Sequence, residues 1–272
     1  MFGRFIKEAN NYVMSENEDV CTINSDVNEF VAFNVLKDGK IIINVDEGGL
    51  LFTGISNSEL KNLDLILNVT ENTKSVLTFN LGSISNDVNF NVHLNQSENS
   101  LVVINSIVDV KKKVNHSIKG IIQKNCSTEI NCLINTGTRE LDGKIDYNVI
   151  HEGSNSINSI NVIGVLNSKS KCDFKGCINI NSEKSEINST MDNFFLCDDG
   201  AKVSSVPILN LKSKDVTTSH SVSIVNIDDY KVEYLSSKGL SFEEGRELLK
   251  HAKLKEMIDK MASSFKKSGV RL

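Results

Sequence analysis

The feature that most constrains this chain is a two-residue alternation of apolar and polar side chains, renewed in short segments from about residue 38 to about 226. Leu63, Leu65, Leu67 and Val69 recur at every second position, and Val88, Phe90, Val92 and Leu94 are interleaved with Asn89, Asn91 and His93. Ile130, Cys132 and Ile134 repeat the pattern, as do Ile145, Tyr147 and Val149. Successive side chains of an extended strand point to opposite faces, so a period of two means one face buried and one wet. Between the segments lie clusters such as Asn95–Ser100 and Glu152–Asn155, made of side chains that favour turns. Tryptophan is absent and Pro207 is the single proline. The fold class read from this pattern is mainly β.

Many short, even strands fit two architectures: a sandwich or barrel, or a solenoid whose successive turns stack in parallel. Asp38-Gly39, Asp142-Gly143 and Asp199-Gly200 supply hairpin-type turns that suit the first. The asparagine-rich, small-residue turns favour the second, and the periodicity leaves both open. Residues 1–37 read as a preamble. Phe2, Phe5, Ile6 and Ala9 have the spacing of a short amphipathic helix, and strand material begins at Phe30–Leu36. The chain thus divides into a preamble (1–37), a β core (38–226) and a helical segment (227–272).

The formal net charge of −5 leaves no extended basic face for nucleic acid; Lys111–Lys113 is read as a solvated turn. No apolar run approaches the ~20 residues of a membrane span, and the first residues lack the layout of a signal peptide, so a cytoplasmic chain is expected. Six cysteines are too scattered for a disulfide framework, and their spacings match no zinc pattern. There is no Gly-x-Ser-x-Gly, phosphate-binding loop or His-Glu-x-x-His, which argues against a hydrolase.

After the β core, Asp228-Asp229 opens a helical pattern carrying Tyr230, Val232, Tyr234 and Leu235. Gly239 suits the position just past a helix end, where a left-handed φ is needed. Ser241 and Glu244 form a capping box for a closing helix from Phe242 to about Phe265. That helix reads either as a cover for the open end of a solenoid or as a docking element. Strand parity sorts the cysteines. Cys172 shares a face with Phe174, Ile178 and Ile180 and is a core thiol, as is Cys132 beside Ile130 and Ile134. Cys177 falls on the outward face with Lys171 and Lys175, a setting that favours a metal-binding thiolate. Cys197 is undecided, and Cys21 and Cys126 receive no role. His220 shares the parity of Val222 and Ile224, which turns it inward, as a structural histidine or as a metal ligand.

The order Pro207-Ile208-Leu209, Val216-Thr217-Thr218-Ser219-His220, Ile227-Asp228-Asp229 and Glu233-Tyr234-Leu235-Ser236-Ser237-Lys238-Gly239-Leu240 resembles the C-terminal signature of the SufB/SufD family. The resemblance runs from about Cys172 to Met261. It implies a right-handed parallel β-helix with a C-terminal helical cap. It also implies a non-catalytic scaffold subunit of a SUF-type iron–sulfur cluster assembly complex, working with a SufC-like ABC ATPase. The same resemblance implies a transient iron–sulfur cluster with His220 as a metal ligand, and Cys177, a candidate from its outward parity, is the less direct companion. Tyr234, Leu235, Gly239, Leu248 and Leu249 would form the ATPase-docking surface. Pairing as a homodimer or with a SufB/SufD paralogue would use the strands around Val216–Ile224. Two departures point to a short SufD-like or stand-alone member: the cysteine of SufB-type members falls here on Met191 or Asp192, and the glutamate after the histidine is Ser221. The rival reading is a cytosolic β-solenoid, structural or glycan-binding, without a metal site. Asp146, Glu152 and Asp173 are scattered rather than paired as glycan cleavage requires.

Overall fold

The computed structural model describes residues 12–268 apart from 18–19, 26–29, 36–37, 47–48, 56–59, 83, 85, 110–111 and 182–184; side chains are described at Val35, 38–46 and 60–264, outside those gaps. The amphipathic pattern at Phe2–Ala9 lies outside the described residues. The strands, in chain order, are β1 (Tyr12–Asn17), β2 (Val20–Ser25), β3 (Phe30–Val35), β4 (Gly39–Val45), β5 (Gly49–Ile55) and β6 (Asn62–Val69). They continue with β7 (Lys74–Asn80), β8 (Val88–Gln96), β9 (Leu101–Val108), β10 (Lys113–Ile122), β11 (Ser127–Asn135) and β12 (Asp142–His151). The last are β13 (Ile157–Leu166), β14 (Lys171–Ile180), β15 (Ile187–Cys197), β16 (Lys202–Leu211) and β17 (Val216–Asn226), followed by helices α1 (Asp229–Ser237) and α2 (Phe242–Ser268).

Even-numbered strands stack into one sheet, in the order β1-β2-β4-β6-β8-β10-β12-β14-β16; odd-numbered strands from β3 to β17 stack into the other. From β2 onward each strand therefore skips its sequence neighbour and pairs with the strand one full turn away. All these ladders are parallel except β1–β2, which is antiparallel. This is a parallel β-helix, and the choice between sandwich and solenoid falls to the solenoid. Steric twist makes crossovers between parallel strands of one sheet right-handed.

The interior is filled by the inward parity of both sheets, with Tyr147, Phe79, Phe90, Phe174 and Phe195 fully buried. Phe79, Phe90, His116, Tyr147 and Phe174 form a continuous run of ring contacts with centroids 4.6–5.5 Å apart. Identical amides stack in register along the flanks: Asn95 Nδ2 donates to Asn68 Oδ1 and Asn68 Nδ2 to Asn44 Oδ1, each at 2.8 Å. Asn72, Asn99, Asn125 and Asn155 hold corresponding corners at φ between 53° and 60°, a conformation asparagine tolerates better than most residues. Each of these residues donates its backbone N–H to the next turn, as in Asn99 N to Lys124 O at 3.0 Å.

The helical segment follows the last strand as expected, with Asp228 capping Tyr230 N. Gly239 stands at φ +101°, where Leu240 N reaches back to Leu235 O and Gly239 N to Ser236 O. The capping box forms: Glu244 N donates to Ser241 Oγ at 3.2 Å and Ser241 N to Glu244 Oε2 at 2.7 Å. α2 does not cover the end of the solenoid. It runs back along the outer face of the odd-numbered sheet, setting Met257 and Met261 against Leu133 and Ile163. Near its start it is tied down at Asp198, whose carboxylate accepts from Arg246 Nη2 at 2.9 Å and Lys250 Nζ at 3.0 Å.

Candidate functional site at the open last turn

Because α2 lies on the flank, β16 and β17 each have a neighbour on one side only. Register aligns Val216, Thr218, His220, Val222 and Ile224 with Ile187, Ser189, Met191, Asn193 and Phe195 of β15, all of them buried and inward-facing. His220 therefore has the inward parity read from the sequence. It is nonetheless exposed, because no further turn covers it. Val222 and Ile224 are exposed for the same reason, as is Leu211 on β16.

Met191 and Asp192, the two positions on which the SufB-type cysteine falls, take opposite faces of β15. Met191 occupies the core-facing place next to His220, and its Sδ would lie 2.4 Å from a Cβ added at Gly176. Asp192 points outward and accepts from Ser221 Oγ at 2.8 Å. Across the interior, Asn193 Nδ2 donates to Ser205 Oγ at 3.2 Å, so polar side chains line the last turns.

Cys177 is half-buried on the outward face of the even-numbered sheet, accepting from Asn179 Nδ2 at 3.3 Å and Asn210 Nδ2 at 3.6 Å. It and His220 thus lie on opposite sides of that sheet. Among the described residues, no three His, Cys, Asp or Glu side chains of the one chain converge as a metal site. Cys132 and Cys172 are core thiols, as parity indicates. Burial pushes Cys132 up to about 11 and raises Cys172 further, which keeps both protonated. Cys197 is also buried, and desolvation raises it to about 11.

Two interior histidines were not singled out by the sequence reading. His116 has Nδ1 3.1 Å from Phe90 O, and its Nε2 is buried without a partner. His151 has Nδ1 2.7 Å from Ser156 Oγ and Nε2 3.4 Å from Ser189 Oγ. Desolvation lowers both to about 4, so both are neutral. Their signal in the sequence is parity: each falls on the inward set of its strand.

Of the residues expected to dock a partner, Tyr234 and Leu248 are exposed, together with Tyr230 (78%), Phe242 and Ile258. Leu249 packs instead with Val165, Leu196, Ile227 and Val232, and Leu235 lies beside the Gly245 turn of α2. Gly239 serves the chain reversal between the helices. A cleft of about 230 Å³ separates α2 from the outer face of β13, β15 and β17; Lys253 there sits 4.2 Å from the centroid of Phe194.

No helix among the described residues is long and apolar enough to cross a membrane. Comparison with curated proteins finds no match. A family model described as SUF system FeS cluster assembly, SufBD core domain, matches residues 69–253, from the end of β6 into α2, and so includes both the open turn and the exposed helices. The match covers well over half of the 272 residues, and the chain belongs to the SufB/SufD core family of the SUF iron–sulfur cluster assembly system.

Proposed function

We propose that this protein is a non-catalytic scaffold subunit of a cytoplasmic SUF-type complex, which holds a nascent iron–sulfur cluster as cargo and works with a SufC-like ABC ATPase. The family match over the last turns and the helices carries the reading. ATP hydrolysis belongs to the ATPase. Its docking surface is the exposed apolar side of α1 and α2, centred on Tyr234 and Leu248. The open end of the solenoid pairs with a second subunit, a copy of this chain or a SufB/SufD paralogue. Unpaired strand edges with exposed Val222 and Ile224 support this, because such edges associate unless covered.

In this reading His220 offers a ring nitrogen to iron at the junction, and further ligands come from the second subunit. Cys177, on the outer face, is the less direct candidate. Two measurements test the proposal. Tyr234→Ala with Leu248→Glu should abolish co-elution with the ATPase at an unchanged thermal midpoint; retained co-elution refutes the docking surface. His220→Ala should lose iron from the anaerobically purified complex while leaving the β-rich circular dichroism intact. Full iron retention in that variant removes His220 from the site.

A further inference from the structure

We propose that the cleft between α2 and the outer face of β13, β15 and β17 is a binding site for a free α-amino acid with an apolar side chain. The cleft lies outside the solenoid interior and away from the exposed side of the helices, so this site is independent of the scaffold role.

Strand alternation and helical periodicity build the two walls. The sheet wall is two rows of outward side chains in register, Asn161–Asp192–Ser221 and Ile163–Phe194–Ser223. The helix wall is Lys253, Glu256, Met257 and Lys260, whose spacing places them on one face of α2. Both walls are fixed before any ligand arrives. The strands are held by their ladders, and α2 is held by Asp198 near its start and by Met257 and Met261 on Leu133 and Ile163 further along. A volume of about 230 Å³ lies below the roughly 300–1,000 Å³ of drug-sized sites, which selects a small metabolite.

The row through Asn161 supplies an acceptor for the ammonium. Beneath α2, Asn161 Nδ2 donates to Asn131 Oδ1 and Asn131 Nδ2 to Asn105 Oδ1, each at 3.0 Å, and Asn105 Nδ2 donates to Thr78 Oγ1 at 3.1 Å. Lys260 Nζ donates to Asn161 Oδ1 at the end of this column. The next position in register is Asp192, where a further asparagine would continue the ladder. A carboxylate cannot donate, and among the described residues Asp192 accepts only from Ser221 Oγ, at 2.8 Å. Its second oxygen is left as an acceptor on the wall of the cleft.

The opposite charge stands one outward position along the strand. Asp192 and Phe194 are successive outward residues of β15, about 7 Å apart, and Lys253 Nζ lies 4.2 Å from the centroid of the Phe194 ring. Lys253 is paired with Glu256 at 2.8 Å, but both side chains are partly exposed, and such a pair is worth little. A ligand carboxylate can therefore take the place of Glu256. One α-amino acid bridges the step, with its ammonium on Asp192, its carboxylate on Lys253 and its side chain against Ile163, Phe194 and Met257. Asp192 and Glu256 balance Lys253 and Lys260, which suits a zwitterion and disfavours both phosphate and a polyamine.

Equilibrium dialysis of the full chain against radiolabelled L-leucine, and separately L-methionine, tests the site. One molecule should bind per chain, with saturation at millimolar concentration or below. Isocaproate, which is leucine without its ammonium, and isoamylamine, which is leucine without its carboxylate, should fail to displace it, as should inorganic phosphate. Asp192→Asn should weaken binding about tenfold or more at an unchanged thermal midpoint, because a charge-assisted hydrogen bond is lost. Lys253→Gln should do the same from the other wall, a second check if one variant folds poorly. The proposal is overturned if neither amino acid saturates at millimolar concentration, if isocaproate, isoamylamine or phosphate displaces leucine as well as leucine itself does, or if either folded variant binds undiminished. Such a failure leaves the assembly role standing, because that role is read separately from ATPase co-elution and iron content.

Discussion

Lowering the pH should unfold this protein through two histidines remote from the open turn. His116 and His151 are buried and neutral, with pKa values lowered from 6.5 to about 4 by desolvation. The unfolded chain takes up a proton at each imidazole as the pH falls through about 6.5, whereas the folded chain resists until about 4. Between those limits the unfolded state binds more protons, so stability falls with pH. It is fully present above about pH 6.5 and lost as the folded values are approached. At about pH 5 each histidine removes about 2 kcal/mol relative to neutral pH, and the pair up to about 4 kcal/mol. That is a large part of the roughly 5–15 kcal/mol typical of a folded domain. Urea titrations followed by far-ultraviolet circular dichroism at about pH 7.5 and about pH 5 measure the difference. His116→Phe keeps ring contacts with Phe79, Phe90 and Tyr147 and deletes one titration. It should cost about 1 kcal/mol at neutral pH through the lost bond to Phe90 O, and remove about half of the pH dependence. Equal stability at the two pH values, or a variant with the full dependence, refutes the assignment.

Gly153→Ala should destabilise more than Gly176→Ala by thermal denaturation. Its Cβ would fall 2.0 Å from the Lys124 backbone nitrogen, whereas that of Gly176 meets the flexible Met191 side chain; overpacking costs typically about 1–3 kcal/mol. Asp198→Asn should weaken the anchoring of α2 by roughly 1–3 kcal/mol, since Arg246 and Lys250 both lose a charged acceptor. Hydrogen exchange in α2 should then rise more than in β10 or β12, and equal protection would contradict the clamp. Cys172→Ser should lower the denaturation midpoint by burying a hydroxyl, while Cys177→Ser should leave it unchanged; the reverse order would overturn the parity assignment.

The alternation of Leu63 to Val69 or Val88 to Leu94 makes the strands legible, because period two belongs to the backbone itself. It carries no information on which strand pairs with which, since parallel and antiparallel partners share it. The stacking signal lay elsewhere, in Asn72, Asn99, Asn125 and Asn155, which return about one turn apart and hold the same left-handed corner. The resting place of α2 was also written in departures from alternation. Cys132-Leu133-Ile134 and Val162-Ile163 are apolar on both parities because the odd-numbered sheet is covered inside by the core and outside by the helix. Reading those runs as doubly buried strands would have put the helix on the flank rather than across the end.

His220 shows where parity stops being sufficient. Alternation decides which face of a sheet a side chain takes, and it assigns His220 to the interior correctly. Burial depends in addition on whether another turn lies beyond, and that is a property of the whole solenoid. At the end of the interior, beyond the rings of Tyr147 and Phe174, Asn193, Ser205 and His220 occupy inward positions. An end built to stay solitary would be expected to place a helix over those groups, and the chain has one of sufficient length in α2. That helix lies instead along Leu133, Ile163 and Phe194, held by Asp198. The polar interior and the two long edges thereby stay uncovered by the helix, and His220 is exposed at their boundary.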